Sequence, residues 1–253
     1  MDTKNKYGTL EMQKDLLRLL KTFDDICRQN SIKYSLSNGS LLGAVRHQGF
    51  IPWDDDLDCI MRREDFAVFK KAIEGNDVLH LSNAPESYQW TERVRLCKPQ
   101  YKHIFTPTLD VFFLDNCPDS EIKRNVKLLA IKMLQGMIKY EMSSKGPVLI
   151  KICSLITHLA GRLFSKERKY SWYNKVAQWG NGTTSKYLSA YHDQYFGLHL
   201  RYPREIIQNV IRMPFEDITV YGLAEYDKYL KIVYGDNYMT PPSEESRKPL
   251  HIG

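Results

Sequence analysis

The chain lacks paired cysteines and long uninterrupted apolar runs. Its five cysteines are widely spaced among 253 residues and form no C-x-x-C pair. This absence excludes a readable zinc site or disulfide framework and favours a reducing compartment. The longest apolar run, residues 147–164, is interrupted by Lys151, His158 and Arg162 and falls short of the ~20 apolar residues that span a bilayer. The polar start has no apolar core of a signal peptide, so we expect a cytoplasmic protein.

Acidic residues are scarce in only one segment. The chain holds 36 Lys and Arg against 30 Asp and Glu, a net charge of +6. Residues 122–170 contain eleven Lys or Arg and two acids, a charge of +9, so the remainder carries −3. This uneven distribution does not fit a uniformly basic nucleic-acid binder, and we expect no nucleic-acid partner.

Helix and strand patterns mix in the first 118 residues, whereas helical patterns prevail afterwards. Apolar alternation and short apolar runs predict strands at residues 32–36, 57–61, 78–81, 94–97 and 109–114. Helical spacing predicts helices from residue 10 and over 64–74, a long helix over 121–142, two helical stretches to about residue 180, and a final helix over 224–233. We therefore expect an α/β (α+β) protein with a mixed-sheet catalytic core in residues 1–118. Residues 119–253 would form a mostly helical elaboration that completes the same domain.

The most informative segment is acidic, with four aspartates in residues 54–58. Asp56 and Asp58 lie at i and i+2, so on a strand both point to the same face. At about 6–7 Å two ionised carboxylates repel by roughly 2.5 kcal/mol at an effective dielectric of ~20. A divalent cation, Mg²⁺ or Mn²⁺, would relieve this repulsion and keep open positions for phosphate. The alternative is a solvated acidic turn with Arg62 and Arg63 as counterions.

Two further features accompany the acidic segment. Gly39 and Ser40 close a strand–turn–helix unit, and backbone N–H groups at a helix start bind anions. Asp110 lies in an apolar strand pattern, where a carboxylate is costly unless it is paired or bound to metal. Gly-Ser, then Asp-x-Asp, then a third Asp on a later strand is the arrangement of the nucleotidyltransferase fold. A two-lobed nucleotide-sugar glycosyltransferase would carry its Asp-x-Asp motif much later, and in a haloacid-dehalogenase-type phosphatase the strand precedes the paired acids.

Three segments resemble the LicD-type phosphotransferases, which are related to the eukaryotic fukutin proteins. Residues 34–58 resemble the family's hallmark motif, residues 109–115 (LDVFFLD) its second acidic motif, and residues 234–251 its C-terminal signature. The matches follow the family order along nearly the whole chain, although residues 120–202 match no motif. Ser40 replaces the more usual Thr and keeps the hydroxyl, while Phe113 replaces a common Pro.

The resemblance implies a phosphotransferase that uses a CDP-activated donor, CDP-choline or similar. It would move phosphocholine first of all, or phosphoglycerol or phosphoribitol, to a hydroxyl and release CMP. The acceptor would be a glycan or lipid-linked glycan of the cell surface, such as teichoic acid, lipopolysaccharide or capsule. Two alternatives stay open: a nucleotidyltransferase that leaves NMP on its acceptor, and a non-catalytic glycan-binding relative.

The resemblance also assigns candidate site residues. Asp56, Asp58 and Asp110 match the catalytic and metal-binding carboxylates. Asp110 is our first candidate for accepting the hydroxyl proton, ahead of Asp54 and Asp55. The candidates for donor binding are Gly39, Ser40, Arg46, Trp53, Arg95, Lys98, Arg247 and His251. Each of the cations and the tryptophan has a structural alternative: Trp53 could pack in the core, and Arg93 and Arg95 could form salt bridges to the acidic cluster.

The basic segment, residues 145–169, carries an apolar stripe at helical spacing. The favoured interpretation is a helix that packs on the core and exposes a basic face. The alternative is shallow attachment to anionic lipid at the inner face of the cell membrane, worth ~1 kcal/mol per basic residue near the surface.

Overall fold

The computed structural model describes residues 6–82, 91–139, 147–193 and 197–251. Within these residues the chain forms seven α-helices: α1 (Leu10–Gln29), α2 (Asn38–His47), α3 (Arg63–Ala72), α4 (Glu121–Ile138), α5 (Val148–Gly161), α6 (Lys166–Ala177) and α7 (Tyr226–Tyr234). Ten strands accompany them: β1 (Tyr34–Leu36), β2 (Leu57–Met61), β3 (Leu79–Ser82), β4 (Glu92–Leu96), β5 (Thr108–Phe113), β6 (Asp115–Cys117), β7 (Tyr187–Ser189), β8 (Tyr202–Pro203), β9 (Val210–Phe215) and β10 (Ile218–Leu223). The predicted mixed α/β class is confirmed, while β6 to β10 were not predicted; β6, β7 and β8 are only two or three residues long. Of the long helix predicted over 121–142, residues 140–142 lie outside the described residues.

The chain divides into two compact units. The first unit comprises Met1–Ser82, Glu92–Phe113 and Glu205–Gly253, and the second comprises Asn83–Thr91 and Leu114–Arg204. The first unit therefore adds the C-terminal residues to the N-terminal half of the chain. The boundary expected after residue 118 stays a prediction.

A five-stranded mixed sheet organises the first unit, with strand order β1-β2-β5-β4-β3. β2 and β5 run parallel, and the other neighbours are antiparallel. Apolar residues of β2 and β5, such as Leu57, Leu109 and Val111, are fully buried on one face. Because side chains alternate along a strand, the intervening Asp58 and Asp110 point to the opposite face.

Helix α1 supplies much of the core of the first unit. Its apolar positions recur at helical spacing, and Leu16, Leu19, Leu20 and Phe23 are fully buried. The helix packs against β3, β4 and β5. Full burial of each such side chain contributes about 1.5–3 kcal/mol. This packing gives the sheet a rigid backing behind its polar face.

The C-terminal part of the first unit is a two-stranded hairpin followed by α7. β9 and β10 pair antiparallel through the turn at Glu216 and Asp217, and Glu216 has a left-handed backbone with φ of 52°. Tyr221 on β10 packs edge-on against Tyr34 on β1, with ring centroids 5.5 Å apart. Helix α7 ends at Tyr234, and the next residue, Gly235, has a φ of 83°, which glycine adopts more readily than other residues.

The second unit combines a three-stranded sheet, β6-β7-β8, with helices α4, α5 and α6. Its apolar core includes Ile131 and Leu134 from α4 and Tyr173 from α6. Lys127 is fully buried, and its Nζ donates to the carbonyls of Asn116 and Trp179 at 2.8 and 2.9 Å. These two hydrogen bonds offset the unfavourable free energy of burying the Lys127 ammonium group.

Helix α5 contradicts the interpretation favoured for the basic segment, that of a helix packed on the core. Its large apolar side chains are exposed, so it is not a helix that packs its apolar stripe on the core. Residues 145 and 146, where the predicted segment begins, lie outside the described residues. In the part of the chain that the structure describes, no helix has both the length and the apolar character needed to cross a membrane.

Candidate functional site

The acidic loop, residues 50–56, joins α2 to β2 and is held by helix α1. Thr9 Oγ1 donates to the carbonyl of Pro52 at 2.7 Å. Gln13 Nε2 donates to the carbonyls of Ile51 and Asp54 at 3.1 and 2.9 Å. Three hydrogen bonds thus fix the backbone that presents the aspartates.

The turn between β9 and β10 holds the beginning of the same loop. Glu216 Oε1 accepts a hydrogen bond from the Phe50 amide at 3.1 Å, and the Glu216 amide donates to the carbonyl of Gln48 at 2.7 Å. A left-handed backbone is rare for glutamate, and here it allows the side chain to reach the loop. Sequence analysis missed Glu216, because no local pattern signals a contact across 166 positions.

A row of charged side chains crosses three neighbouring strands. In the sheet register Asp58 on β2 is opposite Asp110 on β5, and Asp110 is opposite Arg93 on β4. The Arg93 guanidinium donates to both oxygens of Asp110, at 2.8 and 3.0 Å, and both side chains are 18% exposed. Burial raises the pKa of Asp110, and Arg93 opposes that rise. The salt-bridge alternative is therefore confirmed for Arg93.

Asp58 is the carboxylate with the least compensated charge in this row. Burial, and then the charges of Asp56 and Asp110, hold its pKa well above the ordinary value. Its amide donates to Ser40 Oγ at 2.9 Å, and its carbonyl accepts from the Ser37 amide at 3.0 Å. These bonds fasten the first turn of α2 to β2, so the predicted Ser40 and Asp58 are brought together.

Asn38 is a site residue that sequence analysis did not assign. Its Nδ2 donates to Asp58 Oδ2 at 3.2 Å, and its Oδ1 accepts from the Tyr229 hydroxyl at 3.2 Å. Asn38 adopts a left-handed backbone with φ of 45°, which asparagine tolerates better than most residues. An asparagine in the Ser37–Ser40 turn was the available signal for this geometry.

Gly39 approaches the acidic loop closely. A Cβ on Gly39 would lie 2.8 Å from Asp54 Oδ2. Burial, and then the charges of Asp56 and Asp55, raise the pKa of Asp54 well above its ordinary value, and Asp54 shares a hydrogen bond with Asp56. Asp54 therefore keeps its proton to a higher pH than a solvated aspartate does.

The start of α2 is equipped to bind an anion. The first N–H groups of a helix have no partner within the helix and carry a partial positive charge. Ser37, which precedes α2, is fully buried, and among the described residues its Oγ has no hydrogen-bond partner. The absence of a side chain at Gly39 lets this helix start approach Asp54 closely.

The C-terminal segment meets the acidic loop. The amides of Leu250 and His251 donate to the two oxygens of Asp55, at 3.2 and 2.7 Å. His251 Nε2 lies 3.6 Å from Asp56 Oδ2. The nearby Asp56 carboxylate raises the pKa of His251, and burial opposes this rise.

Two more of the predicted cations lie near the loop. The Arg247 guanidinium lies over the Trp53 ring, 5.3 Å from its centroid. The Arg46 guanidinium donates to the Tyr238 carbonyl at 3.1 Å, and burial lowers its pKa while the charge of Asp54 opposes that change. These cations and Trp53 are thus placed with the acidic loop.

The remaining candidates lie on or after β4. Arg95 lies on the same face of β4 as Arg93. Its partner in the register is Thr108 on β5, which is two residues before Asp110. Lys98 is exposed beyond the strand, and its carbonyl accepts a hydrogen bond from Arg18 on α1 at 3.1 Å. Within the described residues, the recorded contacts of Lys98 do not connect it with the carboxylates.

The carboxylates fit a divalent cation that is shared with a phosphate ligand. Among the described residues, no group of three His, Cys, Asp or Glu side chains forms a ready metal-binding set. Arg93 compensates the charge of Asp110, so the negative charge that a cation would neutralise is that of Asp56 and Asp58. Mg²⁺ is commonly held by one or two carboxylates together with substrate phosphates. Burial first, and then the charges of Asp56 and Asp110, raise the pKa of Asp58, and a bound cation would oppose this rise.

Comparison with known proteins identifies relatives of this chain. Residues 31–132 match the family described as LicD/FKTN/FKRP, nucleotidyltransferase domain. The lipopolysaccharide cholinephosphotransferase LicD of Haemophilus influenzae is 29% identical over 261 aligned residues, which cover 96% of this chain and 95% of that protein. An uncharacterized protein of Rickettsia typhi is 47% identical over 58 residues, 23% of this chain and 19% of that protein. An uncharacterized protein of Rickettsia prowazekii is 52% identical over 50 residues, 20% of this chain and 19% of that protein.

Proposed function

Because this chain belongs, through residues 31–132, to the LicD/FKTN/FKRP family of nucleotidyltransferase domains, we propose that it is a phosphotransferase. It transfers phosphocholine from CDP-choline to a hydroxyl of a cell-surface glycan and releases CMP. Lipopolysaccharide is the first acceptor to test, because the Haemophilus influenzae relative that aligns with 96% of the chain is named for that acceptor. The observation that carries the proposal is the pair Asp58 and Asp110, side by side next to the start of α2.

The donor's diphosphate binds at the start of α2. The helix amides, including that of Gly39, and the Ser37 hydroxyl face the anion, and Arg46 and Arg247 add positive charge. Trp53 forms a wall of the site and offers a flat apolar surface to the base or the choline group. Lys98 is the weakest of the predicted donor contacts, because it lies beyond the strand.

Asp56 and Asp58 would hold Mg²⁺ or Mn²⁺, which supplies neutralisation of the diphosphate charge as CMP departs. Asp110 accepts the proton of the acceptor hydroxyl. Each oxygen of Asp110 uses one acceptor site for Arg93, and a carboxylate has about four such sites, so it can accept a further hydrogen bond. Arg93 thereby fixes the orientation of the carboxylate. The cytoplasmic location expected from the sequence stays a prediction.

The proposal is tested with CDP-choline, CDP-glycerol and CDP-ribitol, each incubated with lipopolysaccharide, teichoic acid or capsule in the presence and absence of Mg²⁺. CMP release that requires both CDP-choline and an acceptor is the expected result. Asp58→Asn and Asp110→Asn should lower turnover by about 100-fold or more. Asp217→Asn is a matched control, because Asp217 is exposed at the β9–β10 turn.

Each alternative gives a different product. A nucleotidyltransferase would release pyrophosphate from CTP and leave CMP on the acceptor. A non-catalytic relative would bind glycan without releasing CMP from any donor. Retained turnover in Asp58→Asn would contradict the assignment of the site.

A further inference from the structure

Helix α5 carries its apolar side chains on the outside of the second unit. Leu149 is 71% exposed, Ile156 is 60% exposed and Leu163, just beyond the helix, is 79% exposed. In a helix that packs on a core, such residues would form the buried stripe. Gly161 is the buried residue of the helix. The apolar surface is therefore available to something other than this unit's own core.

The contact of α5 with its neighbour α4 explains the orientation. Small residues line the contact on both helices: a Cβ on Gly136 of α4 would lie 2.4 Å from Thr157 Oγ1, and a Cβ on Gly161 of α5 would lie 2.2 Å from the Met137 carbonyl oxygen. Thr157 Oγ1 donates to the Cys153 carbonyl at 2.8 Å within its own helix. The close approach of the two helices depends on these small residues, as it does between helices in lipid. The large side chains therefore point away from α4.

Helix α4 has an exposed apolar stripe as well. Ile122, Val126, Leu129 and Met133 recur at helical spacing and are 51–78% exposed. Isolated exposed apolar residues are ordinary, but repeated stripes on two packed helices are typical of an interaction surface. We name the exposed apolar residues of α4 and α5 the apolar surface of the second unit.

Charge indicates the kind of partner. Residues 122–170 contain eleven Lys or Arg and two acids. Lys151 lies within α5, Arg162 directly follows it and Arg168 is in α6, and all three are exposed. An apolar surface with a basic border is complementary to an anionic lipid headgroup layer. A second copy of the chain is disfavoured, since two identical basic borders would repel each other.

We propose that α5 binds an anionic phospholipid membrane by lying in its interfacial plane. The apolar side chains enter the layer between headgroups and acyl chains, and Lys151, Arg162 and Arg168 contact the phosphates. This attachment is independent of the proposed transfer reaction. It would hold the enzyme at a surface where lipid-linked glycans are found.

The first test is sedimentation of the full chain with vesicles of phosphatidylcholine alone or mixed with phosphatidylglycerol. Binding to the anionic vesicles is expected at about 0.1 M NaCl and should weaken strongly at about 1 M, where the Debye length falls to ~3 Å. The double variant Leu149→Glu/Ile156→Glu should bind at least about tenfold more weakly. Val68→Glu is the matched control, because Val68 is 47% exposed on helix α3 of the first unit and its variant should bind like the wild type.

A second test does not depend on a disruptive substitution. Cys153 on α5 and Cys97 after β4 are both free and exposed, so each can carry an environment-sensitive fluorophore in a chain whose other exposed cysteine is changed to serine. On anionic vesicles the probe at Cys153 should shift to the blue, and the probe at Cys97 should not. Absence of vesicle binding by the wild type, equal binding by Leu149→Glu/Ile156→Glu, or equal shifts at both cysteines would each overturn the proposal. The proposal would also be overturned if the wild type formed a dimer that Leu149→Glu/Ile156→Glu abolished and that vesicles did not affect.

Discussion

The substitution Arg212→Met is expected to destabilise the first unit strongly at neutral pH and much less in acid. The Asp24 side chain is 5% exposed and accepts two hydrogen bonds from Arg212, at 2.6 and 3.0 Å. The Tyr34 hydroxyl and Arg28 Nε donate to the same carboxylate at 2.7 and 3.0 Å. These bonds join α1, β1 and β9, so they attach the C-terminal hairpin to the sheet that bears the site.

The expected magnitude follows from the burial of Asp24. Removing one partner of a buried ion pair costs about 3–5 kcal/mol, because it leaves a buried charge uncompensated. Two donors, Tyr34 and Arg28, remain in the variant, and Arg212 is 31% exposed. We therefore expect the free energy of unfolding to fall by about 2–3 kcal/mol at neutral pH.

The pH dependence identifies the electrostatic part of that loss. Burial raises the pKa of Asp24, but hydrogen bonds, chiefly from Arg212 and Tyr34, outweigh it and hold the pKa below the ordinary value. A carboxylate with a lowered pKa contributes stability above its unfolded-state pKa of ~3.9, and this contribution disappears as pH falls through the folded-state pKa. The difference between wild type and Arg212→Met should thus be complete near neutral pH and shrink below about pH 4.

Urea unfolding at both pH values measures this difference. Lys21→Met is the matched control, since Lys21 of α1 binds Asp217 in the β9–β10 turn at 2.6 Å, but with side chains that are 39% and 64% exposed. Its effect should stay within about 1 kcal/mol at either pH. An equal loss for Arg212→Met at both pH values would refute the electrostatic reasoning. The loss would then belong to the packing of Arg212 on the Tyr221 ring, 4.6 Å from its centroid.

Three further predictions concern the site. Gly39→Ala places a methyl group 2.8 Å from Asp54 Oδ2, so kcat/KM for CMP release should fall by about tenfold or more. Gly182→Ala, where a Cβ meets nothing within 4 Å, should leave kcat/KM unchanged, and equal values for both variants would contradict the close approach. Asn38→Ala loses the hydrogen bonds to Asp58 and Tyr229 and should lower the free energy of unfolding by about 1–3 kcal/mol, measured in urea. Asn38→Gly also lacks the side-chain hydrogen bonds, but glycine adopts the left-handed backbone without strain. If this variant were as stable as the wild type, the hydrogen bonds would contribute nothing to stability. Arg247→Met and His251→Ala should each raise KM for the CDP-linked donor by about threefold to tenfold, because the first removes a cation and the second a hydrogen-bonding ring beside the acidic loop. Lys248 is an exposed neighbour of Arg247, so Lys248→Met should not change KM. If Arg247→Met and His251→Ala also left KM unchanged, the C-terminal segment would be excluded from donor binding.

The strand positions of Asp58 and Asp110 follow from a local rule, whereas Asp56, expected on the same strand face as Asp58, lies in the loop before β2. Side chains alternate along β2 and β5, so Asp58 and Asp110 had to leave the buried face, and parallel pairing places them opposite each other. The partner of Asp110 could only be narrowed to Arg93 or Arg95, since the choice depends on the register of β4. Glu216 was not predictable, because its role depends on a hairpin turn that approaches the acidic loop from a distant part of the chain.

Helix α5 illustrates a different limit of sequence patterns. The spacing of its apolar residues correctly predicted a helix and an apolar stripe. Periodicity shows that such residues share one face, but it does not reveal whether that face meets the core or solvent. The deciding information lies in the small residues Gly136 and Gly161, which let α4 and α5 approach through the opposite face.

The distribution of charge in the first unit accounts for how an acidic site can accept an anionic donor. Asp55 is satisfied by two backbone amides of the C-terminal segment, and Asp110 is paired with Arg93. Asp56 has His251 nearby, whereas Asp58 has a hydrogen bond from the neutral amide of Asn38. The uncompensated negative charge is therefore concentrated at Asp58, beside the helix start that would receive the diphosphate. We therefore expect the proposed donor to bind beside Asp58 only together with a divalent ion, because the ion would neutralise the repulsion between the carboxylate and the diphosphate.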